Sequence, residues 1–269
     1  MKTTLSKNIK IYALSFFIFF SGSSFAAANL STLEYYGVRS EADFDTLARG
    51  TDFKRHLGDL IKDGHFRTSY KGVRKFIFGE LDLRTDRGGY YVECVYCELK
   101  FHSGDSGVGS IGPGKIPNNN MLNVEHTWPQ SRFGGRDSGF QKIDAHHLFP
   151  STSRVNGIRG NDEFGEVGAA TQEPCTITKK GSAEGGTSGR PVFEPPHSHK
   201  GNVARALFYF AVRYNVKISE QEETFLRAWH EEDPVTEDDR LRNEMIYEYQ
   251  GNRNPFIDHP AWADAIADF

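Results

Sequence analysis

The chain has 269 residues, room for one sizeable domain or two small ones. Hydrophobic residues make up 38% and charged residues 25%, a balance that sustains a packed core and excludes disorder of the whole chain. The formal charge of −4 argues against a uniformly basic binder of polyanions, but charge is segregated. Phe53–Lys75 holds seven Lys/Arg against two Asp, and Ser219–Glu248 is strongly acidic. A local basic face can still track a phosphate backbone; the plainer reading is a solvated helical face.

The N-terminus places Lys2, Lys7 and Lys10 before an apolar run, Ile11–Phe20, and then small residues. This pattern predicts a signal peptide over residues 1–26, cut after Ala26 or Ala28. The run is shorter than the roughly 20 residues of a spanning helix, so the expected product is a soluble, exported chain from residue 29 onward, monomeric and with no membrane partner. Loss of the three leader lysines, with no leader acid, would take the formal charge from −4 to −7.

Glu41–Lys75 reads as two helices, with Phe44, Leu47, Phe53, Leu57, Leu60 and Ile61 at helical spacing and Gly64 as a stop. Tyr90–Phe101, rich in β-branched and aromatic residues, reads as one strand. Ser103–Asn120 is a Gly/Pro/Asn/Ser loop, followed by a short strand, Met121–Glu125. Asp144–Phe149 reads as a strand, with Pro150 opening a helix to about Arg159. Gly165–Pro196 suggests short strands and loops.

The C-terminal part is helical. Gly201–Val216 carries an apolar stripe of Val203, Leu207, Phe210 and Tyr214. Ser219 and Glu222 form a capping box before the face of Phe225, Leu226 and Trp229. Thr236 and Asp239 cap a third helix expected to bury Leu241, Met245, Ile246 and Tyr249, with Gly251 as its stop. No repeat or clean linker divides the chain, so the expected fold class is α+β, in one mixed domain.

Three cysteines, Cys94, Cys97 and Cys175, are an odd number for an exported protein. Cys94-x-x-Cys97 has redox or zinc spacing, yet no second pair completes a four-cysteine site. Cys97–Cys175, Cys94–Cys175 and no bridge all remain open.

Chemistry concentrates between Leu122 and Asn161, where Glu125-His126 is followed by Asp137, Asp144, His146, His147 and Asn156. Phosphodiester hydrolysis needs an activated water, a cation on the phosphate oxygens and support for the leaving oxygen. Histidine serves as a general base near neutral pH. Magnesium takes one or two protein oxygens and keeps several waters. Glu125, Asn156 and His126 form such a set. One objection is geometric: neighbours on a strand point to opposite faces, so the strand must end or bend at this pair.

Asn123-Val124-Glu125-His126-Thr127-Trp128-Pro129-Gln130-Ser131, Asp144-Ala145-His146-His147-Leu148-Phe149-Pro150 and Val155-Asn156-Gly157-Ile158-Arg159-Gly160-Asn161 resemble the motifs of bacterial endonuclease I. This is a family of periplasmic or secreted non-specific nucleases within the ββα-metal, or His-Me finger, superfamily. The resemblance continues through Val192–Pro196, Lys200–Ala206 and Gly251–Pro260. It implies a central ββα-metal motif with a helical C-terminal part. It also implies His126 as general base and Mg²⁺ on Glu125 and Asn156, with Mn²⁺ or Ca²⁺ as substitutes. DNA is the implied partner, with RNA as a second substrate. The phosphate-supporting arginine would be Arg136, after Gly134-Gly135, with Arg159 as its competitor. Asp144, His147, Arg159 and Asn161 would support the ligands or touch phosphate.

Two other readings stand beside this one. One is a zinc hydrolase using His126, His146 and His147; the other is a nucleic-acid-binding protein that kept the fold without cleavage. His146 and His147 read equally as ligand supports or as satisfied core histidines. His197-Ser198-His199 reads as a solvated loop, Glu194 and Arg205 as a structural ion pair, and Trp128 as packing beneath a loop.

Overall fold

The computed structural model describes residues 52–185 and 189–269, with scattered positions between Thr32 and Arg49. The predicted signal peptide, Phe44 and Leu47 lie outside the described residues. The chain divides into two compact units, 1–44 and 45–269. In the first, Tyr36 N–H bonds the Thr32 carbonyl (3.1 Å) and Asp43 N–H bonds the Ser40 carbonyl (3.0 Å). The second is the α+β domain.

This domain opens with α1 (Phe53–Lys62), which buries Phe53, Leu57 and Ile61 on one stripe. Gly64, at φ +75°, adopts the left-handed conformation that lets the chain leave the helix. Next come α2 (Tyr70–Phe76), capped by Ser69 Oγ on Gly72 N–H, and a buried π-helical turn, Ile77–Leu81.

The single strand expected over Tyr90–Phe101 is two. β1 (Leu83–Asp86), β2 (Gly89–Cys94) and β3 (Leu99–His102) form an antiparallel meander. The chain reverses at Val95–Glu98, where Glu98 sits at φ 52°. Apolar content marked this segment as β, but the local turn that splits it has no glycine or proline to announce it.

An antiparallel ribbon of β4 (Leu122–His126) and β5 (Leu148–Thr152) carries the candidate site. The interval between them holds a short α3 (Ser138–Gln141) and a 3₁₀ turn, Ala145–His147. The strand expected at Asp144–Phe149 therefore starts later: Asp144 accepts from His146 N–H (3.1 Å) and winds the turn. Pro150 is a strand residue paired with Val124, not a helix start. Its carbonyl accepts from Val95 N–H (3.0 Å). The imide nitrogen on the same side faces away from β4, so no ribbon hydrogen bond is lost. The helix begins three residues later as α4 (Ser153–Arg159), capped by Thr152.

A second sheet has the order β6 (Glu163–Phe164), β9 (Pro191–Glu194), β8 (Thr178–Ala183), β7 (Val167–Cys175). Cys97 and Cys175 form a disulfide that joins the β2–β3 turn to the end of β7, and Cys94 is a buried free thiol. Closing 78 residues of sequence corresponds to about 4.5 kcal/mol of denatured-chain entropy.

The helical part consists of α5 (His197–Tyr214), α6 (Glu220–Glu232), α7 (Glu237–Gln250) and a short α8 (Pro255–Asp258). α5 is buried on nearly all sides. It starts earlier than expected, so His197-Ser198-His199 is a helical turn with His199 buried, not a solvated loop. The Ser219 cap forms, but Glu222 turns inward to accept from Phe164 N–H (2.9 Å) and does not complete the box. The Thr236–Asp239 box is complete. Leu241 is 57% exposed, while Ile246 takes the core position of α7. Glu194 pairs with Lys200 (3.2 Å) and Lys179 (3.5 Å), and Arg205 with Asp239 (3.4 Å), so the expected Glu194–Arg205 pair is replaced. Trp128 packs inward, stacked on Phe210 (5.0 Å). No helix among the described residues is long and apolar enough to cross a membrane.

Candidate active site

β4 places Val124 in the main apolar cluster with Leu122 and Leu148. That anchor fixes the register of the residues that follow. His126 is the last strand residue, after which Thr127 N–H still bonds the His147 carbonyl (3.0 Å) and the chain turns through Pro129 into a 3₁₀ turn, Gln130–Arg132. The strand ends at the pair, which removes the objection from alternation. Glu125 and His126 line one cleft of about 550 Å³ together with Asn156, Arg159, Gln130, Tyr70 and Asn161.

Each of the three central groups is anchored through one atom and keeps another out of that anchoring. Glu125 is 1% exposed. Its Oε1 accepts from the Tyr96 hydroxyl (3.0 Å) and forms an ion pair with Arg159 Nη1 (3.3 Å), and Oε2 takes neither contact. Burial pushes its pKa up to about 7, against the pull of Arg159 and Tyr96. A cation beside Oε2 would favour the charged form. Asn156 donates through Nδ2 to Asn123 Oδ1 (2.9 Å) and to the Val124 carbonyl (3.3 Å). Those two acceptors set the amide orientation and leave Oδ1 as the free acceptor. A carboxylate oxygen and an amide oxygen with further room for water fit a hard cation such as magnesium.

His126 Nε2 lies 3.1 Å from the Lys142 carbonyl. A carbonyl can only accept, so Nε2 carries the proton and Nδ1 carries the lone pair. Gln130 Nε2 stands 3.3 Å from that Nδ1. Burial, with His147 and Arg159 adding to it, lowers the His126 pKa to about 3, so the ring is neutral at ordinary pH. Tyr70 stacks at 6.1 Å from the ring and His147 meets it edge-on at 5.5 Å.

The remaining expected residues separate by role. Arg159 is 1% exposed and braces the strand end, donating to the carbonyls of His126 (3.3 Å) and Thr127 (2.6 Å). Asn161 lines the cleft, and its carbonyl accepts from Arg132 (2.9 Å). Asp144 lies outside the cleft and is fully buried; its carboxylate accepts from Tyr209 and Tyr214 (2.8 Å each) and from Gln250 (2.8 Å). Burial opposes its charge, but the surrounding His65, His146, His147 and Gln250 hold it well below the usual carboxylate range. His147 donates to the Gln141 carbonyl (2.6 Å) and supports His126 by packing alone. Arg136 is exposed on the turn before α3 and is not part of the cleft wall.

The three imidazoles of the zinc reading do not converge. His146 directs Nε2 to the Asn252 carbonyl (3.0 Å) and lays its ring on Tyr209 (4.5 Å). Among the described residues, no group of three or more His, Cys, Asp or Glu is placed to share a metal. Two contacts of the central pair, Tyr96 on Glu125 and Gln130 on His126, are not expected from the sequence. Gln130 was visible as a polar neighbour four residues after His126; Tyr96 comes from another element and had no local signal.

Residues 49–261 match the Endonuclease I family. The chain is 38% identical over 250 residues to an extracellular ribonuclease of Bacillus subtilis, covering 84% of this chain and 79% of that one. It is 30% identical over 149 residues to an endonuclease-1 of Buchnera aphidicola, covering 49% and 58%. To an extracellular deoxyribonuclease of Aeromonas hydrophila it is 29% identical over 128 residues, covering 46% and 53%. With the match spanning most of the chain, this protein belongs to the endonuclease I family and is an endonuclease.

Proposed function

We propose that this endonuclease is an exported, magnesium-dependent enzyme of weak sequence preference that hydrolyses DNA and also RNA. The observation that carries the mechanism is one atom on each central group that its anchoring contacts do not use: Glu125 Oε2, Asn156 Oδ1 and His126 Nδ1, the last 3.3 Å from the side-chain amide of Gln130. The substrate reading draws on relatives named as ribonuclease and deoxyribonuclease. Export draws on the predicted signal peptide and on relatives named extracellular or periplasmic.

In this reading His126 Nδ1 accepts a proton from water as the water oxygen bonds to phosphorus and the ester P–O bond breaks. The Lys142 carbonyl keeps the ring in the correct tautomer and stabilises the imidazolium that forms. Glu125 and Asn156 would hold magnesium, which supplies positive charge to the phosphate oxygens and the leaving oxygen; Mn²⁺ and Ca²⁺ are candidate substitutes. Arg159 acts from behind by fixing the strand end. Phosphate contacts carry no base information, and the cleft's Asn119, Asn123 and Ser131 offer short polar groups to the backbone. We assign Arg136 no step, because its exposed turn stands apart from the cleft wall.

The test is incubation of the purified mature chain with plasmid DNA and with RNA, in Mg²⁺ or in EDTA. Both substrates should be cut with Mg²⁺ and neither in EDTA. Cleavage surviving EDTA would overturn the mechanism. Activity restored by zinc alone would favour the zinc chemistry, and binding without cleavage would favour a silent binder.

A further inference from the structure

Tyr96 is fully buried, yet it sits in a turn between two strands that contribute no residue to the cleft. It is fixed on several sides. The neighbouring Cys97 is bonded to Cys175, and the Thr178 hydroxyl donates to the Tyr96 carbonyl. The ring meets Phe193 edge-on at 4.8 Å and His199 at 5.9 Å. Its one polar side-chain atom is spent on Glu125 Oε1 at 3.0 Å.

A carboxylate at the end of a glutamate rotates broadly about its last torsion. A hydrogen bond and an ion-pair contact on the same oxygen restrict that freedom. Arg159 is shared with the His126 and Thr127 carbonyls, whereas the Tyr96 hydroxyl, held on its own turn, is committed to Glu125. We infer that Tyr96 is a positioning residue that fixes the plane of the Glu125 carboxylate, so that the oxygen not bonded to it is held toward the cleft, and thereby sets the affinity for a divalent cation. This inference rests on Glu125 being a metal ligand, as proposed above. Groups that orient a ligand carboxylate in this way typically change metal affinity by about 10–100-fold when removed.

The experiment measures Mn²⁺ binding to the full-length, substrate-free protein by calorimetry, with melting temperature followed in parallel. Tyr96→Phe should remain folded and bind Mn²⁺ about 10–100-fold more weakly. In a Glu125→Gln background the same change should have no further effect. Wild-type affinity in Tyr96→Phe, or full additivity with Glu125→Gln, would overturn the inference. If Tyr96→Phe fails to fold, Thr178→Val loosens the turn without touching the phenol. It should weaken Mn²⁺ binding in the same direction, and unchanged affinity would count against the role of the turn. If Glu125→Gln itself leaves binding unchanged, the metal-ligand reading falls, and the positioning role with it.

Discussion

Two polar clusters lie almost back to back in this fold, and they are built from the same residue types. Glu125, His126 and Asn156 face the cleft; Asp144, His146 and His147 lie beneath it, with the rings of His126 and His147 only 5.5 Å apart. Burial lowers all three histidines, His126 to about 3 and the others to about 4. A displaced pKa therefore does not distinguish catalyst from scaffold here. The destination of the remaining atom does. His146 and His147 have Nδ1 atoms that are buried and without a hydrogen-bond partner among the described residues, whereas His126 Nδ1 meets the cleft residue Gln130. Asp144 spends both oxygens on buried donors, and Glu125 spends one.

The comparison breaks first on stability. Asp144→Ala would strand the hydroxyls of Tyr209 and Tyr214 and the amide of Gln250. It should cost about 3–5 kcal/mol, read as a lower denaturant midpoint. A variant of near-normal stability would show that the lower cluster is not a scaffold.

Acid should expose the same cluster. A depressed histidine pKa contributes stability that is fully present above about 6.5 and is lost as pH falls through its folded value. For His146 and His147 that value is about 4, and for His199 about 3, with burial the main cause in each. Glu125 and Glu222, raised to about 7 by burial, act in the opposite sense. Their contribution is present below about 4.5 and is lost as pH rises through 7. The two effects partly offset between pH 7 and 4.5. Below 4.5 the histidine loss is unopposed, so the melting temperature should fall most steeply there. A flat profile down to pH 3 would contradict the buried-neutral histidines.

The smallest effect concerns binding. Tyr70 forms part of the cleft wall and starts α2, whose Lys71 and Lys75 are exposed. Charge reversal at Lys71, Arg74 and Lys75 should weaken DNA binding and flatten its salt dependence by up to about 0.9 for each phosphate that is no longer neutralised. An unchanged slope would make this a merely solvated face.

Much of this was legible in sequence, for identifiable reasons. Capping residues fixed helix starts at Thr236 and Ser219, and Gly64 and Gly251 fixed ends, because cap chemistry is local. The ββα segment could be read because its groups are close in sequence. Three features were not legible. The turn at Val95–Glu98 breaks an apolar run without a turn residue. Pro150 resembles a helix start but is a strand residue whose nitrogen points off the ribbon. Tyr96 reaches Glu125 from 29 residues away, a pairing decided by tertiary packing. Leu241 shows the converse, an apolar residue at helical spacing that no neighbour covers.

The central claim is that Nδ1 of His126 performs the chemistry while its neighbours hold the fold. It is tested most directly by measuring plasmid cleavage and the melting temperature of His126→Ala in one preparation. The account predicts a rate lower by about 10²–10⁴-fold with the cooperative melting transition retained. Cleavage at the full wild-type rate would contradict it.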